Sequence, residues 1–310
     1  MSFGPLVYLS GGVGGARLAH GLYHCLPAQQ LTCIVNTGDD LVHWGLSVSP
    51  DLDTMMYTLA DVADVERGWG LSDETFEALA GVKRYGGESW FALGDRDLAT
   101  HLMRSEWLRL GATLTQVTAR LSAALGVSAR ILPMSDSPRE TMIETSSGTL
   151  AFQRWLVAER GAPVVERVWF KGEGSASRDV LEALDHARLV VIGPSNPYVS
   201  IEPILATPGV RERIARLPVL AVSPIVHGKA VKGPLAGMLQ SLSGLPAEAA
   251  SVARYYGSLL RGYVIEQGDR VELEPPVPVL PTATVMKTRA DSRALAQAVL
   301  AFAKELRLWS

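Results

Sequence analysis

Cysteine is nearly absent: the 310 residues include only Cys25 and Cys33. A disulfide scaffold and a four-cysteine zinc site are both excluded, and a cytoplasmic location is expected. An excess of positive charge is missing too. The 29 basic and 32 acidic residues leave a net charge of −3. Nucleic acid and anionic membrane surfaces select cationic partners, so neither is expected here. No apolar run long enough to cross a bilayer is free of charges and turn residues. The opening MSFGPLVYLSGG has no basic segment ahead of a long apolar stretch, so no signal peptide is expected. Low-complexity tracts and internal repeats are lacking. With 47% hydrophobic and 20% charged residues, the composition excludes a disordered chain.

What is present reads as strands alternating with helices. Leu6–Leu9 is an apolar run that ends in the loop Ser10–Arg17, SGGVGGAR, and the periodic segment Ala16–Leu26 follows. Leu31–Val35 is a second apolar run, broken at Asn36-Thr37-Gly38-Asp39-Asp40. Together they predict a βαβ unit. Later strands are expected at Arg130–Leu132, Thr141–Glu144, Val164–Phe170, Ala187–Ile192, Val219–Val222, Tyr263–Glu266 and Val279–Val285, and a closing amphipathic helix at Ser292–Leu306. The pattern predicts an α/β fold, Rossmann-like and doubly wound, with a mainly parallel sheet. Residues 1–53 and 164–310 are expected to form the nucleotide-binding core. Residues 54–163, rich in helical periodicity, are expected to form a mostly helical insertion.

Several loops carry candidate chemistry. Gly11, Gly12, Gly14 and Gly15 lie between the first strand and first helix, where backbone N–H groups can approach a phosphate. The alternative is a tight turn that binds nothing. The loop lacks the Gly-Lys-Ser/Thr of a Walker A motif. Asn36, where an acidic residue would mark a dinucleotide site, argues against NAD. Asp39 and Asp40, then Asp51 and Asp53 in SPDLDT, gather carboxylates near strand ends and suit Mg²⁺. Asp51 or Asp53 could instead cap the helix expected near Thr54. Arg96, in LGDRDLATH, could meet an anion or a heterocycle, and His101 reads as structural. Ser195 and Asn196, after the buried strand ARLVVI, offer polar groups to a nucleobase or phosphate. Lys229 and Lys232 could meet phosphate or simply be solvated. The absence of a Gly-x-Ser-x-Gly elbow leaves a hydrolase nucleophile unsupported.

These motifs, in order, resemble one family. SGGVGGAR, NTGDD, SPDLDT, LGDRDLATH, LPMSD, IGPSNP, SIEPIL and AVSPI span Leu9 to Lys232. They are similar to those of the 2-phospho-L-lactate transferases of coenzyme F420 biosynthesis. The resemblance implies a guanosine-diphosphate-linked donor carrying lactate or enolpyruvate and the deazaflavin Fo as acceptor. It also implies GMP and F420-0 (or its dehydro form) as products, Mg²⁺ as cofactor and a homodimer. It further implies that the glycine loop holds the diphosphate, that Ser195 and Asn196 lie near the guanosine, and that Arg96 and Asp53 contact Fo. Asp39, Asp40 and Asp53 become candidates for the metal, and Asp51 or Asp53 for the proton acceptor. On this basis Asp53→Asn is expected to keep the fold and lose activity. A related group of nucleotide-sugar-binding gluconeogenesis factors shares the glycine-rich start, and a regulator of that kind is the alternative. SPDLDT and LGDRDLATH favour the transferase.

Overall fold

The computed structural model describes residues 4–309. Seven strands form one sheet. In chain order they are β1 (Leu6–Ser10), β2 (Leu31–Val35), β3 (Arg130–Pro133), β4 (Leu189–Ile192), β5 (Val219–Val222), β6 (Gly262–Glu266) and β7 (Val279–Thr282). Across the sheet they run β3-β2-β1-β4-β5-β6-β7. Every neighbouring pair is parallel, so the chain adopts the expected α/β fold with a parallel central sheet. The order reverses between β1 and β4. Loops leaving the carboxyl ends of two strands at such a point diverge and leave a crevice.

The strands are apolar at consecutive positions because both faces of the sheet are covered. Leu6, Tyr8, Cys33, Val35, Val191 and Val222 face one core. Their neighbours Val7, Leu9, Ile34, Val190, Ile192 and Ala221 face the other. Full burial of one such aliphatic side chain contributes roughly 1.5–3 kcal/mol. Five α-helices precede β3: α1 (Gly12–Cys25), α2 (Pro50–Leu59), α3 (Glu77–Arg84), α4 (Asp97–Arg109) and α5 (Leu114–Ala124). α1, α2, α5 and the C-terminal helix Arg289–Glu305 cover the first face through Leu18, Leu22, Met55, Val117, Leu295 and Val299. Gly21 lets α1 approach the C-terminal helix at backbone distance: a Cβ there would collide with the carbonyl of Ser292.

The division expected from sequence does not follow the sheet. β3 comes from within residues 54–163, yet it pairs with β2 and extends the central sheet. Arg167–Lys171, from the expected core, instead pairs with Glu140–Thr145 in a separate antiparallel sheet completed by Gly148–Ala151. Composition cannot separate these strands, because β3 is short and its apolar pair Ile131-Leu132 resembles any other. The outermost residues of that division, 1–3 and 310, lie outside the described residues. A hairpin that the sequence pattern does not announce, Leu41–His43 with Leu46–Val48, carries the acidic segment from β2 to α2. Trp44 and Gly45 at its tip both have positive φ, 52° and 76°. Among the described residues no helix is long and apolar enough to cross a membrane.

Candidate active site

The crevice at the sheet's switch point is a cleft of about 240 Å³. Its floor is the start of α1. Gly12 has φ +69° and would meet no atom within 4 Å if it carried a Cβ, so its outer side is open. Gly11 is crowded instead: a Cβ there would lie 2.6 Å from Asp51 Oδ2 and 2.7 Å from Ser200 Cβ. The residue before α1 offers no side-chain cap, the Asp51 carboxylate takes only the Gly12 N–H, and the first turn has no acidic residue of its own, so the N–H groups of Val13 and Gly14 remain for an anion. Arg17 and Lys232 also line the cleft. The Arg17 guanidinium donates to the Met286 carbonyl at 2.7 Å. Burial, and then the charge of Arg17, lowers Lys232 from the ordinary lysine value.

The acidic cluster splits into two parts. Asn36, at the end of β2, is fully buried, and its side-chain amide donates to Asp39 Oδ1 and to Asp51 Oδ2, both at 2.9 Å. The Gly38 N–H donates to Asn36 Oδ1 at 2.8 Å, which fixes the amide's orientation. Asp51, in the first turn of α2, also accepts the Gly12 N–H at 2.6 Å. Burial pushes Asp39 well above the usual carboxylate range, and the charge of Asp51 adds to it. Burial likewise pushes Asp51 up to about 6, against the Asn36 and Gly12 hydrogen bonds. Asp39 and Asp51 are thus two buried carboxylates with no cation among the groups that act on them.

Asp53 lies elsewhere. It forms a buried bidentate ion pair with Arg104 of α4. Although burial opposes it, Asp53 holds Arg104 above the ordinary arginine value. Arg104 Nη1 also lies 3.3 Å from His101 Nδ1. A guanidinium only donates, so Nδ1 is placed to accept and Nε2 is the ring nitrogen placed to donate. That Nε2 stands 3.4 Å from Asp97 Oδ1, and Asp97 accepts the Tyr57 hydroxyl at 2.5 Å. Asp53, Tyr57, Asp97 and His101 form one wall of a second cleft of about 370 Å³, while Trp69, Trp90 and Phe91 supply apolar surface. The two clefts share Gly12, Val13, Asp51, Gln153 and Leu156. Asp51 is thus the carboxylate that stands where they meet.

The other residues singled out in the sequence fall into place as follows. Gly11, Gly12, Gly14, Ser195 and Asn196 line the first cleft. Gly15 lies beneath it, where a Cβ would strike the hydroxyls of Ser10 and Ser195. The Ser195 hydroxyl donates to the Gly11 carbonyl at 2.8 Å, clasping the glycine loop. Asn196 Oδ1 accepts the Tyr198 N–H at 2.9 Å. Asp40 accepts the Ser49 hydroxyl at 2.7 Å and lines a different hollow, beside Ser135–Glu140. Arg96 donates to the Ser72 carbonyl at 2.5 Å and lies outside the lining of both clefts. Sequence reasoning missed Arg104, Arg17, Gln153 and the aromatic wall. The signal for Arg104 was present: Asp97, His101 and Arg104 share one helical face.

Comparison with known proteins adds the following. Residues 6–274 match the family model described as 2-phospho-L-lactate transferase CofD. The chain is 43% identical over 269 residues to the 2-phospho-L-lactate transferase of Methanosarcina mazei, covering 86% of this chain and 88% of that protein. It is 42% identical over 316 residues to the phosphoenolpyruvate transferase of Streptomyces griseus, covering 97% and 99%. A solved structure of a UPF0052-family protein from Bacillus halodurans superposes with a TM-score of 0.66 at 16% identity, over 97% of this chain and 99% of that one. At that identity it speaks to the fold alone.

Proposed function

The chain belongs to the 2-phospho-L-lactate transferase family and is a transferase, and on that premise we propose its reaction. It moves a phospholactyl or phosphoenolpyruvyl group from a guanosine-diphosphate-linked donor to the primary ribityl hydroxyl of the deazaflavin Fo. The hydroxyl oxygen bonds to the distal phosphorus, the bond from that phosphorus to the GMP oxygen breaks, and the hydroxyl proton is released. The products are F420-0, or its dehydro form, and GMP. The observation that carries this reading is the pair of clefts meeting at Asp51, one with Arg17 and Lys232 opposite the Asp39–Asp51 pair, the other aromatic.

In this reading the donor's diphosphate rests on the start of α1, with Arg17 and Lys232 offsetting its charge and the guanosine running toward Ser195 and Asn196. Fo lies in the second cleft against Trp69 and Trp90. Asp39 and Asp51 fit Mg²⁺: both are buried, both offer hard oxygen, and one amide holds them together. When bound, that ion neutralises charge on the diphosphate. Asp40 and Asp53 are less suited to it, since Ser49 and Arg104 already occupy them. Asp53, fixed by Arg104, accepts the hydrogen bond of the ribityl hydroxyl and takes its proton. Transfer through a loose transition state needs positioning more than a strong base. His101 Nε2–H and the Tyr57–Asp97 pair orient the polar groups of the acceptor. The protein works as a homodimer in the cytoplasm.

The test is mass spectrometry of products from the purified protein with Fo, Mg²⁺ and each candidate guanylyl donor. An F420-0-type product together with GMP is expected. No product from any donor, with no binding of Fo, would favour a nucleotide-sugar-binding regulator instead.

A further inference from the structure

Away from both clefts, three ligand atoms converge where α1, the turn after α2 and the start of the C-terminal helix meet. His20 and His24 stand four residues apart on α1, so their rings share a face. Asp61, just beyond α2, has φ +57°. His20 Nε2 lies 2.9 Å from Asp61 Oδ1 and 3.1 Å from His24 Nε2, and His24 Nε2 lies 4.0 Å from Asp61 Oδ2. Among the described residues this is the one cluster of three or more His, Cys, Asp or Glu whose ligand atoms all fall within 4.8 Å of one another.

Direct hydrogen bonding satisfies the arrangement only in part. A proton on His20 Nε2 points at Asp61 and reaches His24 Nε2 only as a shared, three-centre bond. If His24 Nε2–H donates to His20 instead, the His20 lone pair is spent and Asp61 Oδ1 faces a ring nitrogen with no proton. A single proton thus serves the close contacts unevenly, whereas a shared cation attracts all the ligand atoms. Ligand atoms around a tetrahedral zinc ion at its usual bond lengths stand about 3.3 Å apart. The two separations that involve His24 Nε2, 3.1 Å to His20 Nε2 and 4.0 Å to Asp61 Oδ2, bracket that distance. Two imidazoles and one carboxylate select zinc-class ions, whereas the oxygen-only pair Asp39 and Asp51 suits magnesium.

We propose that His20, His24 and Asp61 form a second metal site, which binds one zinc-class divalent ion and ties α1 to the segment after α2. Arg289 Nη2 holds Asp61 Oδ1 at 2.9 Å, so Oδ2 is the oxygen open to the ion. The bound ion braces the helix whose first turn forms the floor of the donor cleft.

The experiment is calorimetric titration of the full-length, untagged protein with Zn²⁺ in saturating Mg²⁺, with Co²⁺ absorption reporting the ligand geometry. One Zn²⁺ per chain is expected. His24→Ala and Asp61→Asn should each weaken it at least ~10-fold. His24 is partly exposed, so His24→Ala should melt like the metal-free wild type. Asp51→Asn should leave Zn²⁺ affinity unchanged. Absence of one-to-one Zn²⁺ binding, affinity that survives His24→Ala, or affinity lost in Asp51→Asn would each overturn the proposal.

Discussion

Asp53→Asn tests a structural role for this carboxylate that the sequence does not suggest. From sequence, the substitution is expected to spare the fold, because Asn caps a helix as well as Asp does. In the folded protein Asp53 caps nothing: Ser49 is the residue before α2, and the Asp53 oxygens both bind Arg104, which is 0% exposed. Removing one partner of a buried ion pair costs about 3–5 kcal/mol, because the other charge stays buried without compensation. The amide that replaces the carboxylate could still accept one N–H, which places the loss near ~3 kcal/mol. A domain of ordinary stability has only about 5–15 kcal/mol in total. Arg104→Gln alone should cost a similar amount. The double variant, which leaves two neutral amides face to face, should cost about as much as either single variant rather than their sum, giving a coupling energy of about 2–3 kcal/mol. Urea unfolding of the four proteins, followed by circular dichroism, measures this. If Asp53→Asn costs less than ~1 kcal/mol, or the two single losses add within ~0.5 kcal/mol, the ion pair is not what holds α4 to α2.

Lys232→Met should weaken GDP binding about tenfold, since a hydrogen bond from a charged group to phosphate contributes about 1.5–3 kcal/mol. It should also flatten the salt dependence of that binding, and calorimetry at several ionic strengths reads both effects. Asp95 accepts from Thr75 Oγ1 and from the Glu77 and Ala78 N–H groups at the start of α3, and these hydrogen bonds hold it below the usual carboxylate value. A depressed folded value means that the stability it contributes is full above its unfolded value of about 3.9 and is lost as the pH falls through the folded one. Asp95→Ala should therefore lower the melting temperature at neutral pH and converge with the wild type in acid strong enough to protonate the folded carboxylate. A difference that persists at that acidity would assign the effect to packing rather than charge.

Much of the fold was legible because its signals are local. Seven short apolar runs, each ending in a polar or glycine-rich loop, follow from burial on both faces of a parallel sheet, and the glycine loop lay where the sheet order reverses. The membership of β3 was not legible, since nothing within Arg130–Pro133 states which strand it pairs with. The site divided in the same way. Asp39 and Asp51 stood in the motifs, but only tertiary structure places one Asn36 amide between them. Asp53 sits two residues from Asp51, a spacing that points two side chains of a helix in different directions, so it pairs with Arg104 and lines only the second cleft, while Asp51 borders both. Arg96 looked available beside two aspartates, yet its guanidinium serves the Ser72 carbonyl. Trp69 and Trp90 gave no sign of binding because their meeting point is set by loops.

The measurement that bears most directly on Asp51 is single-turnover transfer by Asp51→Asn, with Fo affinity determined on the same preparation. The substituted side chain keeps an oxygen that can accept the Gly12 N–H, so the start of α1 should hold its place. If Asp51 acts where the two clefts meet, Fo should bind as it does to the wild type, while transfer at saturating substrates and Mg²⁺ falls by about 100-fold or more, the scale for losing a charge-stabilising group. Near-normal transfer, or equal loss of Fo affinity and rate, would contradict that role.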